Sequence, residues 1–236
     1  MLPNLTRRQL LTLAAAFGAA GVGSHAIGGE KKHVPAPKVR LGDETPFAAG
    51  HVEERARALA AEAYKPVPEL PKEWLELTYP QYKSFLFDPR SALWHKSDRP
   101  FEAEFFSAGL YFKQAVHINA VEDGTARPVV FDQKLFTRTD LVPDLPEDAS
   151  VGFSGFRLKT EINKPKLKEE FIVFQGASYF RAVGRDKVYG LSARGLAINT
   201  ADKRGEEFPF FREYWIEGNS PGAKSVTVHA LMDSPS

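Results

Sequence analysis

The sequence contains no cysteine in its 236 residues. This absence excludes disulfide frameworks, thiolate metal sites and cysteine nucleophiles. It does not exclude an oxidising compartment. A chain of this length allows one large domain or two small ones, and either can bury a stabilising core without covalent cross-links.

The sequence also has almost no net charge, because 31 Lys and Arg residues stand against 30 Asp and Glu residues. A formal charge of +1 excludes a nucleic-acid binder held by bulk electrostatic attraction. We therefore expect no nucleic-acid partner.

Histidine is sparse and scattered, which leaves little basis for a metal centre. No two of the six histidines have a spacing such as H-E-x-x-H, which directs two ligands to one ion. We predict no metal site and no cofactor. The six are His25, His33, His51, His95, His117 and His229.

Two glycine patterns resemble known site motifs but lack the required context. Residues 21–26 match a loose dinucleotide fingerprint, yet neither a strand precedes them nor a helix follows. Residues 190–195 resemble the nucleophile elbow of serine hydrolases, but there is one residue too many before the second glycine. We expect neither a dinucleotide site nor a serine hydrolase.

The first 26 residues have the composition of an export signal. They contain no acidic residue, carry the pair Arg7 and Arg8, and continue into an apolar run over 10–23 that is too short to span a bilayer comfortably. The order from Thr6 to Leu11 resembles the twin-arginine motif, and a general secretory signal is the alternative. We predict cleavage after residue 26, the twin-arginine export machinery as a partner, and no membrane association afterwards.

Helices are predicted only near the start of the exported part. Residues 27–46 are polar and contain glycine and proline, which is typical of a flexible lead-in. Small apolar residues recur at helical spacing over 52–63, and the prolines from Pro66 onward end that helix. A second short helix is predicted over 72–77, after Pro71.

From Phe101 onward the apolar residues recur with a period of two, as in β-strands. Phe101, Ala103 and Phe105 alternate with Glu102 and Glu104, the pattern of a half-buried strand. Two charged, proline-containing connections, 137–150 and 163–168, are predicted as surface loops. The fold class is mostly β, as a large antiparallel β-sandwich. Further strands are predicted over 116–120, 128–131, 153–159, 170–175, 179–183, 188–192, 196–200, 210–217 and 226–232.

Two pairs of adjacent glutamates are the most obvious candidates for acid–base chemistry. Glu169 and Glu170 form one pair, and Glu206 and Glu207 form the other. Neighbours on a strand point to opposite faces, which disfavours joint action of either pair on one substrate, although glycosidase carboxylates from distant strands follow no local spacing rule. We interpret these residues as solvated charges at turns.

The segment 176–195 contains the best candidates for ligand binding. It predicts a hairpin on which Tyr179 and Arg181 share one face, and on which Tyr189 lies on the opposite side from Arg194. Arginine and tyrosine side chains on a sheet face bind sugar hydroxyls and sugar rings well. The alternative is a structural network in which the arginines tie loops to the sheet.

These same residues belong to sequence blocks that resemble the periplasmic glucan biosynthesis family, the MdoG and MdoD (OpgG and OpgD) proteins. The likeness extends over the chain from about Val52, and three blocks in order make it specific. The leader is more similar to that of the D-type member than to that of the G-type. The three main blocks are 176–182, 189–197 and 205–209, and shorter ones lie at 92–94, 152–157 and 231–236.

The resemblance implies a role in making or trimming osmoregulated periplasmic glucans, whose backbone is β-1,2-linked glucose. It implies a periplasmic location and an N-terminal β-sandwich of the galactose-mutarotase-like kind, followed by a smaller immunoglobulin-like domain. Some members are similar to inverting endo-β-1,2-glucanases, in which one carboxyl group acts as acid and another as base through water. The implied partner is the β-1,2-glucan itself, with Tyr179, Arg181, Tyr189 and Arg194 as substrate-binding residues.

Members of that family are about twice this length. We therefore expect residues 47–236 to form an incomplete sandwich, with the immunoglobulin-like domain and the catalytic aspartates of the glucanase members outside this sequence. No catalytic residue is assigned here. An incomplete sheet exposes an unpaired edge near 226–232, which would favour self-association.

Three functions remain open on this basis. The first is glucan biosynthesis by carbohydrate binding, with β-1,2-glucan hydrolysis in intact family members. The second is a non-catalytic binding or scaffolding module that holds the polymer for other enzymes. The third is an inert truncated product.

Overall fold

Two larger β-sheets, a two-stranded sheet and three short helices make up the part of the chain that the structure describes. A computed structural model describes residues 35–236, and the leader that includes Arg7 and Arg8 lies outside them. The helices are α1 (Ala49–Ala60), α2 (Lys72–Leu75) and α3 (Tyr79–Lys83). The strands are β1 (Arg40–Leu41), β2 (Thr45–Pro46), β3 (Phe85–Phe87), β4 (Glu102–Ser107), β5 (His117–Glu122), β6 (Thr125–Val130), β7 (Phe136–Arg138), β8 (Phe153–Glu161), β9 (Lys168–Gln175), β10 (Tyr179–Ala182), β11 (Leu191–Arg194), β12 (Phe210–Glu217) and β13 (Thr227–Asp233).

The strand order shows how the two larger sheets are connected. One sheet runs β1-β6-β5-β12-β13, with β2 also paired to β6, and the other runs β11-β10-β9-β8-β4. The pairing of β5 with β12 is parallel, and the other named strand pairs are antiparallel. A parallel pair needs a long crossover, and here the chain between β5 and β12 includes four of the five strands of the second sheet, β8 to β11. The predicted mostly β sandwich is confirmed.

Aromatic side chains fill the space between the two sheets. The Tyr214 ring on β12 contacts the Phe156 ring on β8 edge to face, with 5.1 Å between centroids. Phe174 on β9 lies 5.4 Å from Tyr214 and 5.9 Å from Phe211, again between ring centroids. Such pairs add about 0.5–1.5 kcal/mol each beyond the burial of their area. Burial also raises the pKa of the Tyr214 hydroxyl.

The helices lie at the margins of the sheets. Helix α1 has no buried residue, and beside it Phe47 stacks on Trp215 with 5.9 Å between centroids. In α2, Trp74 is fully buried and its indole N–H donates to the Pro146 carbonyl at 3.0 Å. The predicted helices are confirmed within a few residues at their ends. In the described part of the chain, no helix is both long enough and apolar enough to cross a membrane.

Helix α3 was missing from the sequence predictions. It begins after Thr78, whose hydroxyl accepts the backbone N–H of Gln81, while the Gln81 carboxamide oxygen accepts the Thr78 backbone N–H at 2.7 Å. This reciprocal pair is a capping box, and Pro80 in the first turn has no N–H that would be left without a partner. The capping residues Thr78 and Gln81 therefore indicate the start of this helix in the sequence.

Several predicted elements have different limits in the structure. Residues 196–200 form no strand and contribute only an isolated bridge from Ile198 to Glu207. The predicted strand over 188–192 begins at Leu191 instead, because Gly190 has a left-handed φ of 85° that interrupts extended backbone. The predicted loop from residue 137 starts inside β7, and the predicted lead-in ends in the paired strands β1 and β2.

The expected alternation on β4 was wrong for its two glutamates. Glu104 is only 1% exposed, and its carboxylate accepts hydrogen bonds from Arg157 Nη2 at 2.5 Å and from Lys159 Nζ at 2.8 Å. Glu102 is also buried, with Oε1 3.4 Å from Lys168 Nζ. The neighbouring strands place basic side chains beside these glutamates, which compensates the cost of burying the carboxylates.

Asp88 caps the short turn after β3 and gives the fold a pH-dependent contact. Its carboxylate accepts the Arg90 backbone N–H at 2.9 Å and lies 2.6 Å from Arg90 Nη2. The hydrogen bonds and positive charge of Arg90 lower the pKa of Asp88 below its ordinary value, against the opposing effect of burial. The contact therefore stabilises the fold at neutral pH. Its contribution is lost as the pH falls from the unfolded-state pKa of about 3.9 through the lower folded-state pKa.

Asp88→Asn is expected to lower the free energy of unfolding by about 1 kcal/mol at pH 7, with a smaller difference from the parent at pH 3. Thermal unfolding of the two proteins at both pH values measures this. A difference that grows on acidification would contradict the assignment.

Candidate functional site

The β10–β11 hairpin brings three of the four predicted binding residues onto one face. Tyr179 pairs with Arg194 and Arg181 pairs with Ser192 in the register of the two strands. Residues directly opposite each other in an antiparallel pair project to the same side of the sheet. Tyr179, Arg181 and Arg194 therefore share a face, a relation that the sequence left undefined because it did not give the register.

Tyr179 and Arg194 form a stacked group with Phe208. The Arg194 guanidinium carbon lies 5.7 Å from the Tyr179 ring centroid and 6.0 Å from the Phe208 centroid. The two rings are near parallel, with centroids 6.5 Å apart. Tyr179 is 37% exposed, so part of its ring faces solvent. We call Tyr179, Arg194 and Phe208 the tyrosine patch.

Glu206 forms an ion pair with Arg194 of the tyrosine patch. Its carboxylate pairs with the Arg194 guanidinium, and the two side chains are only 17% and 18% exposed. The prediction of a solvated charge was therefore wrong for Glu206, because the loop before β12 folds back onto the hairpin. This ion pair also fits the structural-network alternative, since it ties a loop to the sheet. The ion pair thus holds the Arg194 guanidinium beside the Tyr179 ring.

Glu207 points elsewhere. Its carboxylate accepts hydrogen bonds from the Ser234 hydroxyl and from the Ser236 backbone N–H, the latter at 3.1 Å. These hydrogen bonds, led by that of Ser234, lower the pKa of Glu207. Because the two glutamates have separate partners, Glu206 and Glu207 do not form a catalytic pair.

Tyr189 is not brought to the patch. It lies before Gly190 and outside β11, is 55% exposed, and its hydroxyl accepts a hydrogen bond from the Asn163 carboxamide at 2.7 Å. This bond joins the β10–β11 connection to the β8–β9 turn. The structure therefore places Tyr189 at a different part of the hairpin from Tyr179.

A cleft of about 200 Å³ lies beside the start of β10. Tyr111 and Phe210 contribute its largest partly exposed rings, at 52% and 38% exposure. No sequence pattern predicts this cleft, because its residues come from loops and strand ends that show no periodicity. It is lined by Val67, Glu69, Tyr111, Phe112, Lys113, Gln114, Ala115, Val116, Ser154, Gly176, Ala177, Phe210 and Phe211.

A second cavity of about 210 Å³ lies under helix α1. Its aromatic wall is not open to a ligand, because Trp215 is stacked on Phe47 and covered by Arg55, whose guanidinium carbon is 5.6 Å from the indole centroid. Arg55 also pairs with Glu213 at 2.9 Å. These contacts hold the helix on the sheet, and we assign no ligand to this cavity.

Comparison with known proteins identifies the family. Residues 47–236 match the sequence profile described as "Periplasmic glucan biosynthesis protein, MdoG". The chain belongs to this family. The match includes the tyrosine patch, all lining residues of the cleft beside β10, and those of the second cavity except Thr45 and Pro46.

Several curated relatives support the assignment. "Glucans biosynthesis protein G" of Bradyrhizobium diazoefficiens is 42% identical over 233 residues, which are 98% of this chain and 44% of the relative. The protein of the same name from Ralstonia nicotianae is 47% identical over 189 residues, or 80% of this chain and 38% of the relative. That from Shewanella sp. (strain W3-18-1) is 40% identical over 200 residues, or 84% and 37%.

The MdoG-family chain thus spans about two fifths of the length of these relatives. Each of the three carries the G name, whereas the leader had favoured the D-type.

Proposed function

We propose that this MdoG-family chain binds the β-1,2-linked backbone of osmoregulated periplasmic glucans while they are made or trimmed. The observation that carries the proposal is the tyrosine patch, a partly exposed Tyr179 ring packed against Arg194 and Phe208. Family membership supplies the glucan context. The patch supplies a surface suited to a sugar.

The chemistry of the patch fits a neutral polymer. A fixed aromatic face packs against the C–H groups of a pyranose ring, and few rotatable bonds are immobilised on binding. Arg181 is on the same face, and a guanidinium presents several donors in a planar fork to hydroxyl oxygens. The near-zero net charge of the chain adds no long-range attraction for a charged ligand.

Hydrolysis of β-1,2-glucan is the more specific activity that the family resemblance implies. Glycoside hydrolysis with inversion requires two carboxyl groups far enough apart to admit a water molecule. At the tyrosine patch, the Glu206 carboxylate is already paired with Arg194. We therefore propose binding for this chain and assign catalysis to none of its residues. Incubation with linear β-1,2-glucan separates the two functions, since release of new reducing ends would show catalysis and refute pure binding.

The proposal includes delivery to the periplasm. The family description names that compartment, and the arginine pair Arg7 and Arg8 in the leader matches the twin-arginine motif. Export by this route carries proteins that are already folded, so the hairpin would reach the periplasm assembled.

Tyr179→Ala is expected to weaken binding of linear β-1,2-glucan at least tenfold, because it removes the stacking ring. Tyr179→Phe keeps the ring and should stay within about threefold of the parent, a difference below 1 kcal/mol. Calorimetric titration of the purified chain measures both. Leu141→Ala is the matched control, since Leu141 is 60% exposed and belongs to neither cavity. Equal binding by Tyr179→Ala and the parent would overturn the proposal, as would no binding by the parent.

A further inference from the structure

The cleft beside β10 displays Tyr111 on an unusually constrained turn. Gly109 and Phe112 exchange two backbone hydrogen bonds of 2.9 Å, and the Leu110 N–H donates to the Trp74 carbonyl, also at 2.9 Å. Leu110 has a left-handed φ of 52°, a conformation that costs a branched side chain about 1 kcal/mol or more. The surrounding hydrogen bonds hold this strained backbone in place, and Tyr111 sits at its tip.

The next residue fixes the direction of the turn. The Phe112 ring lies against Tyr82, with 6.0 Å between centroids, and close to Gly176 on the far side of the cleft. A Cβ added at Gly176 would come within 3.3 Å of the Phe112 ring. Phe112 is thus inserted while Tyr111 remains 52% exposed. Strained backbone is common at functional sites, so an exposed aromatic side chain on a strained, anchored turn is well placed to contact a ligand.

The two charged side chains around Tyr111, Lys113 and Glu69, have opposite charges that compensate each other. Lys113 Nζ lies 3.8 Å from Glu69 Oε1, and both side chains are about half exposed, at 48% and 56%. The Gln114 carboxamide donates to the Val67 carbonyl at 3.0 Å, and among the described residues no donor reaches its Oε1. The cleft therefore offers an aromatic face, an ammonium donor and carboxylate and carboxamide acceptors. That combination suits a neutral, polyhydroxylated ligand better than a charged or purely apolar one.

The cleft and the tyrosine patch are linked through two chain segments. Ala177 lines the cleft and Tyr179 in the patch follows two residues later. Phe210 lines the cleft and Phe208 in the patch precedes it by the same interval. Two residues of chain span at most about 7 Å, so a ligand of three or more sugar rings can contact both places.

We infer that the Tyr111 cleft is a second sugar subsite, which holds one glucose ring of the same glucan chain whose neighbouring rings contact the tyrosine patch. Tyr111 stacks on the ring, while Lys113, Glu69 and Gln114 hydrogen-bond its hydroxyl groups. This inference rests on the proposed function, because it assigns a further contact to the same ligand. It adds four contact residues, Glu69, Tyr111, Lys113 and Gln114, that lie outside the hairpin and outside the sequence blocks.

The test compares four variants, Tyr111→Ala, Tyr111→Phe, Tyr179→Ala and Leu141→Ala, in calorimetric titrations with linear β-1,2-glucan long enough to contact both places. Tyr111→Ala is expected to weaken binding about tenfold, Tyr111→Phe to bind nearly as the parent does, and Leu141→Ala to be unchanged. For the disaccharide, which is too short to fill both sites fully, Tyr111→Ala is expected to cost less than it does for the long chain. Each variant's thermal midpoint is recorded, and Tyr111→Ala should keep that of the parent because its ring is outside the core.

The outcomes separate the two claims. Parent-like binding by Tyr111→Ala, together with a loss in Tyr179→Ala, overturns the second subsite and leaves the proposed function standing. Parent-like binding by both alanine variants, or no binding by the parent, overturns both. An equal loss for disaccharide and long chain in Tyr111→Ala would also contradict a second subsite on an extended ligand.

Discussion

Replacing Gly155 by alanine is expected to prevent this chain from folding to a soluble product. Strand β8 passes so close to β9 at this point that an added Cβ would lie 2.0 Å from the Phe174 carbonyl oxygen and 2.9 Å from its carbonyl carbon. The obstacle is backbone, which cannot rotate away as a side chain can. Gly155 also has a φ of 154°, where a side chain is strained regardless of space.

The expected loss is more than about 4 kcal/mol of the free energy of unfolding, a large part of what a domain of this size possesses. Soluble yield and the thermal midpoint measure it. Two further glycines provide matched controls. At Gly190, which has a φ of 85° and no atom near the added Cβ, alanine should cost about 1 kcal/mol. At Gly50, inside helix α1 with open space around it, alanine should stabilise by about 0.5–1 kcal/mol. A Gly155→Ala protein that unfolds near the parent temperature would refute the close approach of β8 and β9.

Replacing Glu104 by glutamine is expected to give the second large loss of stability, about 3–5 kcal/mol. The carboxylate is almost completely buried and accepts hydrogen bonds from two cations, Arg157 and Lys159. Glutamine keeps the shape of the side chain but loses the charge, and its amide protons would face positively charged donors. Arg157 and Lys159 would then lie in a partly buried region without their main counter-charge.

Urea unfolding of Glu104→Gln against the parent measures this prediction, with Glu53→Gln as the control. Glu53 pairs with Arg57 on the surface of helix α1, and both side chains are more than two thirds exposed, at 68% and 76%. That substitution should change the free energy of unfolding by about 0.5 kcal/mol or less. Equal effects of the two substitutions would mean that the Glu104 pairs contribute no more than a surface contact.

The sequence predicted the fold class well because its strongest signals are periodic. A period of two predicted ten strand regions, nine of which contain a strand in the structure, and aromatic residues on β8, β9 and β12 fill the space between the sheets. The same reasoning failed at Glu104, because a period of two shows only that the two faces of a strand differ in polarity. Whether the polar face is exposed to solvent depends on the neighbouring strand. Here β8 places Arg157 and Lys159 on the polar face beside Glu104.

The candidate site was predictable only in part, again for a reason of pairing. Residue parity correctly placed Tyr179 with Arg181, but only the register of β10 with β11 adds Arg194 to their face. The separation of Tyr189 follows from the left-handed backbone at Gly190, which the glycine alone did not specify. Phe208 joins the tyrosine patch, and Glu206 pairs with Arg194, because a loop without periodicity folds back onto the hairpin. Tyr111 is displayed by a turn whose conformation depends on contacts with Trp74 and Tyr82.

Recognition of a neutral sugar polymer by the hairpin face is the central proposed property of this chain. The deciding measurement is a titration of the purified chain, observed by NMR, with linear β-1,2-glucan and with a linear α-1,4-glucan of equal length. Saturable shifts of the Tyr179 ring and of residues 176–182 with the β-1,2-linked polymer alone are expected. If neither polymer perturbs these signals, or if both perturb only residues far from the hairpin and the Tyr111 cleft, the glucan-binding account is wrong.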